Sequence, residues 1–103
     1  MAETVVLTGE FDIARTAEMR DALLEAAHTS DPVVADLSGV TFFDSSALRA
    51  LLDVRSILAD RGQTIRLHDP SPIVRRLLDL TDIAHLFDGD PSAVDQVAPP
   101  AAD

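Results

Sequence analysis

The chain has 103 residues, 47% of them apolar, which is the length and composition of one domain with a single modest core. It contains no cysteine, which excludes disulfide frameworks and Cys-ligated zinc and suits the cytoplasm. Eighteen acids against eight arginines give a formal charge of −10, and such a surface repels phosphate backbones and argues against direct nucleic-acid binding.

In chain order, Met-Ala-Glu-Thr at the start lacks the basic and apolar pattern of a secretory leader, and no apolar run is long enough to span a membrane. "ETVVLTGEF" opens with β-branched residues and reads as a strand ending near Gly9. From Thr16 to about His28 the period becomes helical, with Met19, Leu23 and Ala26 on one face and Glu18, Arg20, Asp21 and Glu25 on the other. "TSDP" breaks that helix. "VVADL", bounded by Pro32 and by "SG", predicts a short strand buried on both faces.

The next helix is predicted to start between Asp44 and Ser46, where Ala47, Leu51, Val54 and Leu58 make an apolar stripe that Gly62 stops. "QTIRLHD" alternates as a strand with Ile65 and Leu67 on one face. In "SPIVRRLLDL", Ser71 is a good N-cap, Pro72 occupies the favoured first helical position, and Ile73, Val74, Leu77 and Leu78 form the buried face. "AHLF" reads as a last short strand. Five acids and no arginine follow Thr81, and residues 91–103 read as an acidic, Pro/Ala-rich flexible tail behind a domain of residues 1–90. Alternating strands and helices at this spacing predict an α/β layer with mostly parallel strands.

Few residues carry chemistry. Ser45 as a hydrolase nucleophile lacks the small flanking residues of a sharp elbow, and the spacing of His28, His68 and His85 singles out no base. Asp12, Asp36 and Asp44 are the candidate ligands for a hard cation if their strand ends converge, although three Asp among eighteen acids is a weak signal. Asp36, within an apolar run, needs a partner, and Ser38 or a backbone N–H supplies one. No Gly-rich loop cradles a nucleotide, and no cofactor is expected.

"DSS", residues 44–46, remains. One cap needs one residue, so a hydroxyl is left over at the positive end of a helix, where a phosphate is tolerated by the fold and adds ~1.5 to 2 negative charges. Arg49, one turn on, either meets a partner carboxylate or pairs with Asp53 at i,i+4.

Three stretches, "VVLTGEFDIARTAEMRDAL", "PVVADLSGVTFFDSSALRALL" and "LHDPSPIVRRLLDLTDIAHLF", together resemble the STAS domain family, specifically its stand-alone anti-sigma-factor antagonists, from about Thr4 to Phe87. The resemblance implies a four- to five-stranded mixed sheet with helices packed mainly on one face. It also implies partner switching in transcription regulation. The unphosphorylated antagonist binds an anti-sigma factor that is a GHKL-type serine kinase and so frees a sigma factor; phosphorylation breaks the complex and a metal-dependent serine phosphatase restores it. The family's phosphoacceptor falls on Ser45, its motif Asp on Asp44 and its early strand-end Asp on Asp12, with Ser46 a tuning neighbour. Ala47 stands where the family usually has Gly, and its methyl is expected to obstruct a kinase loop. The family's extra N-terminal strand is expected to be missing or very short. The same family also supplies accessory subunits of transporters that have no phosphorylation cycle, and this is the alternative reading.

Overall fold

The computed structural model describes residues 2–83 and 86–87, in which strands and helices alternate. They are β1 (Glu3–Phe11), α1 (Thr16–Ala27), β2 (Val33–Phe43), α2 (Ser45–Asp60), β3 (Ile65–His68) and α3 (Pro72–Thr81). The sheet order is β1-β2-β3 and both pairings are parallel. The three helices cover one face. On it lie Leu7, Phe11, Val33, Ala35, Leu37, Val40, Phe43, Ile65 and Leu67, all buried, whereas Thr4, Val6, Thr8, Glu10, Arg66 and His68 on the other face are exposed.

The helices form where apolar periodicity and end signals agree. In α2 the whole stripe Ala47, Leu51, Val54 and Leu58 is completely buried, and Gly62 follows the last turn in the left-handed region at φ 73°. Met19, Leu23 and Ala26 fasten α1, while Val74 and Leu78 fasten α3 with Ile73 and Leu77 partly buried beside them. Ser71 begins α3 ahead of Pro72, but its hydroxyl makes no cap hydrogen bond.

β2 departs from the sequence expectation. It does not stop at "SG" but continues to Phe43, and only one of its faces is buried. Two bulges explain this. Between the pairs Val6↔Asp36 and Thr8↔Gly39, and again between Gly9↔Val40 and Glu10↔Phe42, β2 advances one residue more than β1. Each extra residue changes the inward spacing from two to three, so Leu37, Val40 and Phe43 all reach the core. At the first bulge Asp36 Oδ1 accepts the Ser38 amide at 3.0 Å and its hydroxyl at 2.7 Å, as a half-buried carboxylate in a strand requires. Gly39 lets Thr8 close in, since a Cβ there would lie 2.8 Å from Thr8 Cγ2.

β1 likewise runs past Gly9 to Phe11. Gly9 takes φ +90° without ending the strand, and Arg15 donates to Thr8 O at 3.3 Å and Glu10 O at 3.0 Å while its guanidinium lies 4.3 Å from the Phe11 ring centroid.

Within the described residues the sheet is therefore three-stranded and wholly parallel. The strand expected at "AHLF" falls on residues 84 and 85, which lie outside the described set; Leu86 and Phe87 are not in strand, Phe87 being buried in the core and Leu86 O accepting from Arg55 Nε. The expected tail, 91–103, also lies outside the described residues.

Candidate functional site

Because the strands are parallel, each runs in the same direction and hands the chain to a helix; β3 stops at His68, level with Asp36, whereas β1 and β2 run on together. β1 and β2 finish side by side at the pair Phe11↔Phe43, which puts Asp12 and Asp44 one residue beyond neighbouring strand ends. The buried phenyl rings of Phe11 and Phe43 anchor those ends. Past Phe11 the chain makes a tight turn. Asp12 Oδ1 accepts the Ala14 amide at 3.0 Å, Arg15 N donates to Asp12 O at 3.0 Å, and the Thr16 hydroxyl donates to Ile13 O at 3.3 Å.

Asp44 is the N-cap of α2, with an extended backbone. Its Oδ1 accepts the Ser46 amide at 3.0 Å, the Ala47 amide at 3.1 Å and the Ser46 hydroxyl. The Ser46 hydroxyl is the largest influence holding the Asp44 carboxyl below its usual value, with the two amides acting in the same direction against desolvation. Ser46 is half-buried with its hydroxyl committed, whereas Ser45 is exposed and its hydroxyl has no hydrogen-bond partner among the described residues. Of the two neighbouring hydroxyls, only that of Ser45 is both accessible and unengaged.

Ala47 sits elsewhere than the family comparison of its methyl with glycine implied. It is completely buried among the core residues, so its methyl occupies no part of the exposed rim. Arg49 is exposed, and its i,i+4 pair with Asp53 does not form; Asp53 instead meets Arg20 of α1 at 3.5 Å. Asp36 belongs to the β2 bulge rather than the rim. Its carboxyl is held below its usual value first by the Ser38 amide, then by the Ser38 hydroxyl, with His68 adding to them.

Other chemistry finds no support in this arrangement. No three His, Cys, Asp or Glu side chains among the described residues are placed to hold a metal, so Asp12, Asp36 and Asp44 do not form a cation site. His28 follows the far end of α1 and His68 ends β3; neither hydrogen-bonds Ser45. No helix among the described residues is long and apolar enough to cross a membrane. Sequence reasoning missed Ile13 and Phe42, which are 77% and 41% exposed beside this rim. The available signal was an isoleucine in an otherwise polar turn and a second phenylalanine where the inner face has room for one.

Comparison with known proteins agrees with this geometry. The family described as "Mlab, STAS domain" matches residues 2–88. A STAS-domain containing protein of Pseudomonas aeruginosa is 36% identical over 84 residues, covering 82% of this chain and 83% of that protein. Among solved structures, a putative anti-sigma factor antagonist from Thermotoga maritima superposes with TM-score 0.71 at 20% identity, covering 92% of this chain and 87% of that one. The anti-sigma factor antagonist SpoIIAA in its unphosphorylated form gives TM-score 0.64 at 22% identity, covering 94% and 88% respectively. At these identities the two structures establish a shared fold.

Proposed function

The chain belongs to the STAS domain family, and from that premise we propose that it is an anti-sigma-factor antagonist switched by phosphorylation of Ser45. The carrying observation is the exposed, unengaged Ser45 hydroxyl on a helix start that Asp44 and Ser46 have already capped. Because the cap does not use Ser45, a phosphoryl group there leaves the hydrogen bonds that hold the turn intact. The helix N-terminus tolerates the new anion, so the mark alters the surface while the fold persists.

In this reading the unphosphorylated rim, with Asp12, Ser45 and the first turns of α2 including Arg49, docks on a GHKL-type serine kinase that is also an anti-sigma factor, and a sigma factor is released. The kinase then transfers the γ-phosphoryl of ATP to Ser45 Oγ. The O–P bond forms as the β–γ anhydride breaks, ADP leaves, and the hydroxyl proton passes to a base of the kinase. A metal-dependent serine phosphatase hydrolyses the ester and returns the protein to its binding state. The domain itself supplies the acceptor and the surface, and catalysis belongs to its partners.

The test is phosphorylation by the GHKL-type serine kinases encoded in the same genome. Trypsin cleaves after Arg20 and Arg49, so one peptide carries Ser45, and fragmentation within it locates the phosphate. Phosphate on Ser45, abolished in Ser45→Ala and retained in Ser46→Ala, is the expected result. No phosphate with any native kinase overturns the switch and leaves the alternative, an accessory subunit that works without a phosphorylation cycle.

A further inference from the structure

β1 is an edge strand, and the hydrogen bonds on its inner side fix which of its main-chain groups are left over. Glu3 N donates to Pro32 O at 3.3 Å, so Glu3, Val5 and Leu7 turn their N–H and C=O groups towards β2. Thr4, Val6 and Thr8 therefore turn theirs to the open edge, where no strand lies among the described residues. Part of that edge is guarded. Arg15 donates to Thr8 O at 3.3 Å and to Glu10 O at 3.0 Å, which closes the end next to Phe11. Thr4 and Val6 have no such cover. From Thr4 to Gly9 the strand also carries no charge and no proline, the usual means of keeping an edge from pairing. Val6 is 64% exposed, and an open groove lined by Val5, Leu7, Met19 and Ala22 runs between this edge and α1. The groove leaves room on the helix-covered side for the side chains of an added strand.

We propose that a second copy of the chain pairs along this edge, β1 against β1, antiparallel about a two-fold axis at Val5. Such a contact needs a segment complementary to itself, and Thr4–Val6 is one. With the axis at Val5, Thr4 of each copy faces Val6 of the other, and each such pair exchanges two main-chain hydrogen bonds. The unguarded groups of both copies are then satisfied together, and the contact stops short of the Arg15 cap. Thr4 and Val6 also make β-branched cross-strand pairs on the outer face, while Glu3 faces Leu7 and meets no acid. The neighbouring registers are worse. An axis at Val6 sets Thr4 against Thr8, whose carbonyl Arg15 already engages. An axis at Thr4 brings the two Glu3 side chains to diagonal positions on one face, where like charges oppose pairing. So few residues bury less than the roughly 800 Å² per partner of a standard complex. Two copies at −10 each also repel, so the dimer depends on concentration and strengthens with salt. The pairing uses neither Ser45 nor its rim and stands apart from the antagonist reading.

Sedimentation velocity of the wild type from about 1 μM to about 1 mM, in about 0.5 M NaCl to screen the repulsion, is expected to pass from monomer to dimer. Val6→Pro removes a donor that β2 does not use, so it is expected to keep a cooperative melt and to remain monomeric throughout. The chain has no cysteine, so a single introduced one reports the register. Facing Val5 residues form a non-hydrogen-bonded pair with Cα atoms about 4.5 Å apart, inside the disulfide range of about 4.4–6.8 Å. Under mild oxidation at the highest concentration, Val5→Cys is expected to become disulfide-linked faster than Val6→Cys, and roughly tenfold faster than Leu80→Cys on α3. A wild type that stays monomeric at about 1 mM overturns the proposal. So does a dimer that a folded Val6→Pro leaves intact, or linkage at Val5 no faster than at Val6. Should Val6→Pro fail to fold, the cysteine comparison decides alone. None of these outcomes touches the antagonist reading, which phosphate on Ser45 tests separately.

Discussion

Asp44 carries three donors on one oxygen, and the start of α2 depends on that side chain. Asp44→Ala removes the cap, and a loss of about 1 kcal/mol, or roughly 4–8 °C in Tm for a domain of this size, is expected by thermal and denaturant melts. The loss depends on pH. The folded carboxyl is held below its unfolded value of about 3.9, so its contribution is complete above that value and disappears as pH falls through the folded pKa. The Tm gap between wild type and Asp44→Asn should therefore be widest near neutrality and shrink below about pH 4; a gap that stays constant into acid would show that the ionised cap contributes nothing. The sequence made the acid and two hydroxyls of "DSS" plain, together with the surplus of caps over helix ends. It left open which hydroxyl the acid engages, because adjacent serines differ only in where α2 turns them. Ala47 was legible in two ways, as a motif position and as the first residue of the Ala47, Leu51, Val54 and Leu58 stripe, and the stripe is the reading that its complete burial bears out.

The helices were legible as elements because their stripes and end signals agree, from Ala47 through Leu58 in α2 and from Pro72 through Leu78 in α3. The strands were less so. "SG" after Leu37 has the composition of a turn, yet Asp36 and Ser38 bond each other within a continuing strand and Gly39 serves close approach rather than reversal. A bulge leaves a phase slip in the apolar pattern, here from 33, 35, 37 to 40 and 43, and a period-two search reads that slip as an end. The contact at Gly39 gives this account a quantitative consequence. Gly39→Ala puts a Cβ 2.8 Å from Thr8 Cγ2 and 3.4 Å from Thr8 Cβ, so β1 and β2 have to part or Thr8 has to move. A destabilisation of about 1–3 kcal/mol is expected. Thr8→Ser deletes the clashing methyl, so the double variant should recover much of the loss in a denaturant-melt cycle. Strictly additive losses would place the strain elsewhere than this contact.

At the scale of the molecule, the sheet of the described residues is parallel with helices on one face, which is unusual, since such sheets normally have both faces covered. Here the outer face carries Thr4, Thr8, Glu10, Arg66 and His68 around Val6, polar enough to meet water; this is why "TIRLHD" alternated in sequence. Charge is the other global property. Eighteen acids face eight arginines, and among the described residues only two ion pairs form, Arg15–Glu18 at 3.1 Å and Arg20–Asp53 at 3.5 Å, all four side chains more than a third exposed. Screening two exposed pairs costs little, whereas screening a net charge of −10 relieves self-repulsion in the compact state. Stability should therefore rise with ionic strength, by a few degrees in Tm between about 0.02 M and about 0.5 M, and equally in NaCl and KCl. Phosphorylation of Ser45 adds ~1.5 to 2 charges of the same sign and should lower Tm slightly at low salt, with the difference vanishing at high salt. A Tm that falls with salt would mean that the two pairs outweigh the net charge.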